Sequence, residues 1–422
     1  MKKKLALVSI FFMAVLQPWN VYAIQRFPKP EFETGYVQPE TLLPSPRAEI
    51  LSYMDVAVLI LALSFISWLV IKKRSRIGVF WTSMFSLAYF GFYREGCVCS
   101  IGAIQNVSLA LFDGSYAIPL TAVLFFALPL VYTLFFGRTF CAGVCPFGAM
   151  QDLVAFKPQK LGLRLNTVLG IIPYLYLGLA VLYAATGTDF IICRYDPFVG
   201  IFRMNASFGM FVFVGTLLVS GIFIARPYCR FLCPYGVLLN WFSRYSRKHL
   251  TITPAHCIQC RLCEDSCPYD AIEIPVTGIN PDNRQARVRK LILISLILPV
   301  LILAGGWVGS QVHEPLAGVH SKVKLAKQVL NPEKDSKVAE TFEIQAFKSS
   351  GKPESEVYEE ALVVLKKFNT GSWILGGFMG LVFGLLIAGR MLKKHNPDFV
   401  SHKGRCLSCA RCIDYCPIKV EK

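Results

Sequence analysis

Two short cysteine runs constrain this chain more than any other feature. Residues 257–268 place four cysteines in a C-x2-C-x2-C-x3-C-P pattern, and residues 406–417 repeat that pattern. This is the spacing of bacterial ferredoxins, in which three thiolates hold one [4Fe–4S] cluster and the fourth ligates the partner cluster. Zinc sites usually pair two C-x2-C knuckles across a spacer, so the spacing favours iron–sulfur chemistry over zinc or disulfides.

Cross-ligation predicts two mixed ligand sets, each with three cysteines from one run and the last cysteine of the other. The first set, the Cys257 site, is Cys257, Cys260, Cys263 and Cys416. The second set, the Cys406 site, is Cys406, Cys409, Cys412 and Cys267. We therefore expect two [4Fe–4S] clusters in one ferredoxin module that a long insertion splits in two.

The rest of the chain is too apolar for an ordinary soluble protein, because 54% of its 422 residues are hydrophobic and its mean hydropathy is +0.48. Apolar runs near the length needed to cross ~30 Å of hydrocarbon recur along it. They cover residues 56–71, 77–93, 116–136, 167–185, 208–225, 291–308 and 373–389. The sequence predicts a mainly α fold, a polytopic bundle of seven membrane helices.

The predicted segments follow from these runs. Residues 1–23 have the layout of a signal peptide, with lysines ahead of an apolar stretch that ends at Ala23; an uncleaved anchor helix is the alternative. The others are 24–54 as an external segment, 55–248 with helices 1–5, 249–285 with the first ferredoxin run, 286–308 as helix 6, 309–370 as an extracytoplasmic loop, 371–392 as helix 7 and 393–422 with the second run.

Basic residues set the predicted orientation in the bacterial inner membrane. They cluster after helices 1, 3, 5 and 7 and before helix 6, so the positive-inside bias places both ferredoxin runs and the C-terminus in the cytoplasm. The processed N-terminus then lies outside. This bias accounts for the net charge of +17, since the charges are spread over short loops beside membrane helices, and no nucleic-acid partner is expected.

The extracytoplasmic loop is predicted to form a small α+β element. Residues 341–347 alternate like a strand, and residues 353–367 have an amphipathic helical pattern. The apolar stripe of that helix is Val357, Ala361, Val364 and Leu365. Helix 7 carries Gly376, Gly380 and Gly384 at four-residue spacing, which favours close contact with another helix of this bundle.

An internal two-helix repeat links residues 137–150 to residues 225–238. Arg138, Cys141, Cys145, Pro146 and Gly148 recur 88 positions later as Arg226, Cys229, Cys233, Pro234 and Gly236. We call Cys141, Cys145, Cys229 and Cys233 the interior cysteines. They are candidates for an additional metal centre or for redox-active pairs, with Arg138 and Arg226 favouring the thiolate form, whereas inert packing is the alternative.

The interior cysteines are expected near the cytoplasmic edge of the membrane. The segments between the helices of each repeat are expected to be irregular and to lie near the outer edge. They carry Cys97, Cys99 and Cys193, which are weaker candidates for cofactor binding.

These motifs together resemble the NosR/NapH-type membrane ferredoxins, polytopic iron–sulfur proteins that accompany nitrous oxide reductase and periplasmic nitrate reductase. The resemblance is carried by residues 138–148, residues 226–236 and both ferredoxin runs, and residues 96–107 are similar to the NosR branch. It implies electron transfer between a membrane or cytoplasmic donor and an extracytoplasmic acceptor. NosR-like proteins have a flavin-binding domain ahead of the membrane part; residues 24–54 are too short for one, so any flavin is expected on a partner chain.

The expected function is that of an electron-transfer subunit in an oxidoreductase system, with redox partner proteins on both faces of the membrane. A quinol dehydrogenase is one such system, and a periplasmic flavoprotein is one such partner. The cysteines, a quinone or a partner subunit must bridge the hydrocarbon. The alternative is a maturation or regulatory protein for an extracytoplasmic metalloenzyme. All six histidines lie outside the predicted spans, so no membrane haem is expected, and His313 and His320 are weak candidates for quinone or copper contact. The sequence assigns no catalytic residue.

Overall fold

The computed structural model describes residues 48–96, 99–156, 158–252, 257–275, 284–330, 344, 347, 353–392 and 398–418, and this part is mainly helical. The predicted signal peptide and residues 24–47 lie outside the described residues. The elements are α1 Glu49–Trp68, α2 Arg76–Ser86, α3 Ala103–Phe112, α4 Leu120–Phe136, α5 Thr139–Gly143, α6 Pro146–Val154, α7 Leu163–Leu169, α8 Ile172–Ala185, α9 Ile191–Tyr195, α10 Pro197–Phe202, α11 Phe208–Phe223, α12 Pro227–Phe231, α13 Pro234–Arg244, α14 Leu262–Asp265, β1 Ile272–Glu273, α15 Arg284–Gln311, α16 His313–Ala317, α17 Ser321–Leu330, α18 Glu354–Met391, β2 Val400–Ser401 and α19 Arg411–Asp414.

The chain divides into two compact units, residues 1–57 and residues 58–422. The described residues of the first unit, 48–57, include the first turns of α1. The second unit contains the other elements. Within it, π-helical turns at Leu69–Lys73 and Leu87–Tyr93 continue α1 and α2.

Four helical segments are long and apolar enough to cross a membrane. They are Glu49–Lys73, Leu165–Ala185, Val288–Gln311 and Glu354–Met391. Shorter apolar helices are Ala103–Phe112, Leu120–Phe136 and Phe208–Phe223. Large apolar side chains of α15, such as Leu296 and Trp307, are exposed, as expected for a helix whose neighbours are lipid chains.

The segment between the second and third predicted spans is more regular than expected. It contains α3, which starts after Gly102 and ends before Asp113, where an Asp-Gly pair stops the helix. This helix packs against α8 and α4. The prediction of an irregular segment is therefore wrong for residues 103–112.

The predicted amphipathic helix and predicted helix 7 form one continuous helix, α18, from Glu354 to Met391. At 1.5 Å per residue it is roughly 57 Å long, far more than the hydrocarbon thickness. No proline lies between the two predicted parts, so nothing in the sequence ends the helix there. The boundary predicted at residue 371 is wrong, although the helical prediction on both sides of it is right.

The N-terminal half of α18 packs in a small helical cap with α16, α17 and the end of α8. Val357, Ala361 and Val364 are buried in its core, as their spacing predicts, and Leu365 packs against them. The described residues of the predicted strand, Ile344 and Phe347, are helical instead. Residues 341–343 and 345–346 lie outside the described residues. Phe347 packs against the apolar core of the cap, so tertiary contact overrides the alternating pattern there.

Glycines form the contact between α15 and α18. A Cβ added to Gly376 would overlap the carbonyl of Gly305, and one added to Gly380 would overlap the carbonyl of Leu301. Gly309 lies equally close to the backbone of Ser372. The predicted close contact of the helix-7 glycines is confirmed, and its partner is α15.

We expect Gly376→Leu to push α15 and α18 apart and to lower the stability of the protein by about 1–3 kcal/mol, the usual range for overpacking. Gly389→Leu is the matched control, because Gly389 lies on the same helix and a Cβ there meets nothing within 4 Å. Thermal unfolding of the purified protein in detergent measures the difference. Equal melting temperatures for the two variants would show that the glycine contact does not hold this helix pair.

Candidate iron–sulfur sites and interior cysteines

The two ferredoxin runs, distant in sequence, lie side by side. β1 follows the first run and pairs antiparallel with β2, which precedes the second, with Ile272 opposite Ser401. The backbone N–H of His402 extends this pairing by donating to the carbonyl of Ala271 at 2.7 Å. The short helices α14 and α19 also contact each other.

Both runs have the same backbone geometry around their middle cysteine. Gln259 and Arg261 flank Cys260 with φ values of 54° and 62°, and Ser408 and Ala410 flank Cys409 with φ values of 54° and 59°. Left-handed backbone costs roughly 1–2 kcal/mol at a residue with a side chain, so the surrounding structure must hold these loops in shape. Their curvature turns backbone N–H groups toward sulfur: that of Ser408 donates to Cys406 Sγ at 3.4 Å.

Each predicted ligand set lines a cavity. One cavity, of about 390 Å³, is lined by the four cysteines of the Cys257 site. The other, of about 340 Å³, is lined by the four cysteines of the Cys406 site. The remaining lining is largely apolar, for example Ile252 and Phe399 in the first cavity and Tyr269 and Ile272 in the second. Each cavity therefore takes three cysteines from one run and one from the other.

The chemistry of these donors fits a metal cluster. Burial raises the pKa of Cys406 to about 12, and it also raises the pKa of Cys263, Cys267 and Cys412. Such thiols keep their protons unless a metal replaces them, since a coordinating thiol is deprotonated outright. Among the described residues, no three cysteine, histidine, aspartate or glutamate side chains form a closed metal-ligand set, so cluster insertion would draw the sulfurs inward.

The interior cysteines do not all lie at one edge of the bundle. α4 ends at Phe136, and the Cβ position of Gly137 there is 3.7 Å from Ser408 Oγ of the second ferredoxin loop. α13 packs along α4, and Tyr235 donates from its hydroxyl to the carbonyl of Phe126 at 2.7 Å. Phe126 is roughly 15 Å along α4 from the end at Phe136. Cys233 precedes Tyr235 by two residues, so it lies well inside the bundle.

The cause of this depth is a reversal of the chain at each repeat. Gly137 has φ 72° and Arg226 has φ 51°, so the backbone turns back at these residues, and the short helix after each leads into the bundle. Phe140, for example, lies in a cavity with Phe125. Gln151 of α6 donates to Cys229 Sγ and Arg226 donates to the carbonyl of Cys141, so the two Cys-Pro segments contact each other. The prediction that all four interior cysteines lie at the edge is wrong, and their convergence on one centre stays a prediction.

The segments expected at the outer edge also enter the bundle. Tyr228 donates from its hydroxyl to Asp196 at 2.6 Å, and the ring of Phe147 stacks on those of Phe198 and Phe202 with centroids 5.4 and 5.6 Å apart. Residues 191–202 therefore contact α6 through Phe147 and α12 through Tyr228.

Cys99 and Cys145 line one cavity of about 380 Å³ with mostly aromatic and aliphatic neighbours. Cys193 lies beside this region, since its Sγ is 3.2 Å from the Cβ position of Gly102, and Cys99 O is 3.9 Å from that position. The predicted separation of Cys99 from the interior cysteines is therefore wrong. Cys97 lies outside the described residues.

Buried polar residues that the sequence analysis missed surround the interior cysteines. Gln151 donates from Nε2 to Cys229 Sγ at 3.4 Å and accepts the backbone N–H of Tyr228 at 2.9 Å. Gln105 accepts the N–H groups of Ile192 and Cys193. The available signal was a glutamine in each of two mostly apolar helices, since burying an amide costs free energy unless it is hydrogen-bonded.

Asp152 is the most important of the missed residues. Arg226 donates from Nε and Nη2 to its two carboxylate oxygens at 2.9 and 2.7 Å, and Arg76 lies 3.5 Å away. The charge and hydrogen bonds of Arg226, together with the charge of Arg76, compensate the buried carboxylate of Asp152. The hydroxyl of Tyr269, next to the first ferredoxin run, also donates to Asp152 at 3.4 Å.

Comparisons with known proteins agree with this geometry. Two family models, each described as a 4Fe-4S binding domain, match the chain, one at residues 118–164 and 206–253 and the other at residues 250–273. Protein NirI of Paracoccus denitrificans is 29% identical over 233 residues, which is 50% of this chain and 33% of NirI. Regulatory protein NosR of Pseudomonas aeruginosa is 28% identical over 265 residues, 54% of this chain and 33% of NosR.

The putative electron transport protein YccM of Escherichia coli is 24% identical over 185 residues, 40% of this chain and 52% of YccM. The chain is similar to membrane-associated ferredoxin-type proteins with 4Fe-4S binding domains, NosR among them. The matched part corresponds to only about a third of NirI and of NosR. No solved structure matches it.

The two histidines suggested as ligands by the sequence, His313 and His320, each lie within hydrogen-bond distance of a backbone group. His320 is buried, and its Nδ1 accepts the N–H of Lys322 at 3.1 Å at the start of α17. His313 Nδ1 lies 2.5 Å from the carbonyl of Ser310. Each therefore has a local backbone partner.

Asp152→Asn is expected to destabilise the protein by about 3–5 kcal/mol, because it leaves the buried Arg226 guanidinium without its carboxylate. Asp265→Asn is the matched control; its pair with Lys160, at 3.4 Å, lies at the surface, and such pairs contribute about 0–1 kcal/mol. Denaturant unfolding in detergent compares the two variants. If Asp152→Asn loses no more stability than Asp265→Asn, the buried pair is not a structural anchor.

Proposed function

We propose that the protein is a membrane-bound electron-transfer protein that passes electrons between a cytoplasmic or quinol donor and an extracytoplasmic redox partner. The observation that carries this proposal is the placement of the Cys406 site against the membrane bundle. Arg76 donates to the carbonyl of Cys409 at 3.2 Å, and Arg138 donates to the carbonyl of Gly404 at 3.0 Å. Arg138 also lies 3.7 Å from Cys141 Sγ, so the Cys406 site is followed by the interior cysteines of the bundle.

We propose one split ferredoxin module with two [4Fe–4S] clusters, held by the Cys257 site and the Cys406 site. When bound, the clusters would supply one-electron redox chemistry. The chain's own residues would set their surroundings: N–H groups such as that of Ser408 donate to sulfur, and the apolar cavity lining excludes water. The mixed lining of both cavities supports cross-ligation.

The interior cysteines and the Cys99–Cys145 cavity provide the proposed route through the bundle. They would hold an additional metal centre or act as redox-active thiols. In this proposal the segments with the interior cysteines enter the hydrocarbon from one face, and the segments with Cys99 and Cys193 enter it from the other. Membrane proteins with discontinuous helices have such an arrangement. Cys193, at the far end of this series, is exposed and faces the proposed extracytoplasmic side.

We propose seven spans in the bacterial inner membrane, with the clusters and C-terminus in the cytoplasm and a cleaved signal peptide. The four long helices, the shorter α4 and α11, and α2 with its π-helical turn would form them. The basic residues beside the ferredoxin loops support this orientation. A match of one family model to both Cys-Pro segments supports the internal repeat.

The second candidate function is a maturation or regulatory role for an extracytoplasmic metalloenzyme. It is favoured by the name of a relative, regulatory protein NosR. Redox partners on both faces, including a flavoprotein or a quinone, are compatible with either role. Continuous turnover distinguishes electron transport from a single reduction during maturation.

Vesicles test the proposed function. Purified protein is reconstituted with cytochrome c trapped inside, potassium and valinomycin balance charge, and reduced soluble ferredoxin is added outside. We expect continuous reduction of the trapped cytochrome, and its loss when the four interior cysteines are replaced by serine while both ferredoxin clusters are retained. Protein-free vesicles are the control. No reduction by the intact protein would contradict electron transport, and full reduction by the serine variant would exclude the interior cysteines as the route.

Single serine variants test cross-ligation. Cys416→Ser should perturb the cluster of the Cys257 site, and Cys267→Ser that of the Cys406 site, because each cysteine lines the cavity of the other run. Electron paramagnetic resonance and iron analysis of each variant make the assignment against the wild type, for which we expect about eight irons. Damage confined to the cluster of the variant's own run, or zinc in place of iron, would contradict it.

A further inference from the structure

Two buried arginines cross between the halves of the repeat. The guanidinium of Arg226 lies against Gly148 of the first half, with Nη1 3.1 Å from the Cβ position of that glycine. The guanidinium of Arg138 lies against Gly236 of the second half, with Nη2 3.4 Å from its Cβ position. The small glycine after each Cys-Pro pair therefore lets the arginine of the other half lie close to its backbone.

The two arginines are neutralised unequally. Arg226 makes a bidentate pair with Asp152, the strongest form of such a contact. The residue 88 positions after Asp152 is Asn240, a neutral amide, and its buried Oδ1 accepts no hydrogen bond within the described part of the chain. Arg138 likewise has no carboxylate partner among the described residues, and its Nε is buried without an acceptor there.

Arg138 touches both the ferredoxin loop and an interior cysteine. Its Nη1 donates to the carbonyl of Gly404, two residues before Cys406, and its Nη2 lies 3.7 Å from Cys141 Sγ. Asn240 packs against Gly404 from the other side. Within the described part of the chain, the side chain of Arg138 is therefore a positive charge without a carboxylate counterion, placed between the Cys406 site and Cys141.

We propose that Arg138 and Asn240 form the port, the contact through which electrons pass between the Cys406 site and the oxidised centre, a metal or a disulfide, that the interior cysteines would supply. An uncompensated positive charge stabilises an added electron nearby, so Arg138 raises the reduction potential of the Cys406 site and favours Cys141 over Cys229 as the first interior sulfur. Arg226 occupies the corresponding position in the second half of the repeat, but its charge is compensated by Asp152. Arg138 is a positioning residue, and its role rests on the proposed electron-transfer function.

Asn240→Asp tests the port directly, because it adds a carboxylate at the position that corresponds to Asp152. The midpoint potentials of both clusters are measured by redox titration with paramagnetic resonance, alongside iron content and reduction of vesicle-trapped cytochrome c. We expect unchanged iron content, a lower potential at the Cys406 site, little change at the Cys257 site, and transfer slowed several-fold. Arg138→Gln should shift the same potential in the same direction. Arg226→Gln, the matched control, should instead reduce the yield of folded protein.

An unchanged or raised potential at the Cys406 site would overturn the proposal. If Asn240→Asp fails to accumulate, Arg138→Gln decides the question by the same potential, because it removes the charge without adding a buried carboxylate. Failure of the underlying function looks different: the wild-type protein then transfers no electrons. Normal transfer by the wild type with equal rates and potentials in both variants contradicts the port alone.

Discussion

A buried pair of charges, Arg226 with Asp152, lies where the parts of this protein meet. Asp152 belongs to the Cys-Pro helix of the first half, Arg226 precedes that of the second, and Tyr269, next to the first ferredoxin run, donates to the same carboxylate. Isolated charges at this depth would be costly, so each is tolerated because the other is present. This contact, together with the hydrogen bonds of Arg76 to Cys409 and of Arg138 to Gly404, holds the ferredoxin loops against the bundle.

The second requirement is that two distant cysteine runs share their ligands. The α15–α18 pair fulfils it, because its glycine contact holds the two helices in backbone-to-backbone proximity and returns the chain to the first run. The short β1–β2 pairing then sets the register of the two loops. A helix hairpin thus takes the place of the short linker of a compact ferredoxin, and the helical cap packs on the N-terminal half of α18.

Short-range spacing in the sequence predicted the helix stripe at Val357, Ala361 and Val364 and the glycine contact, since each depends on residues within a few turns of one another. It did not predict how deep the cysteines lie in the helical bundle. The reversals at Gly137 and Arg226 depend on the opposite half of the repeat, and neither hydropathy nor spacing indicates that Cys145 and Cys99 meet in one cavity. Asp152 was missed for the same reason: a single carboxylate in a short helix has meaning only beside its distant arginine.

The central claim is that two iron–sulfur clusters occupy the two cavities with ligands exchanged between the runs. Anomalous diffraction at the iron absorption edge from crystals of the anaerobically purified protein tests this claim most directly. We expect two strong iron peaks, one bounded by Cys257, Cys260, Cys263 and Cys416 and the other by Cys406, Cys409, Cys412 and Cys267. A single peak, or a peak bounded by the four cysteines of one run, would contradict the account.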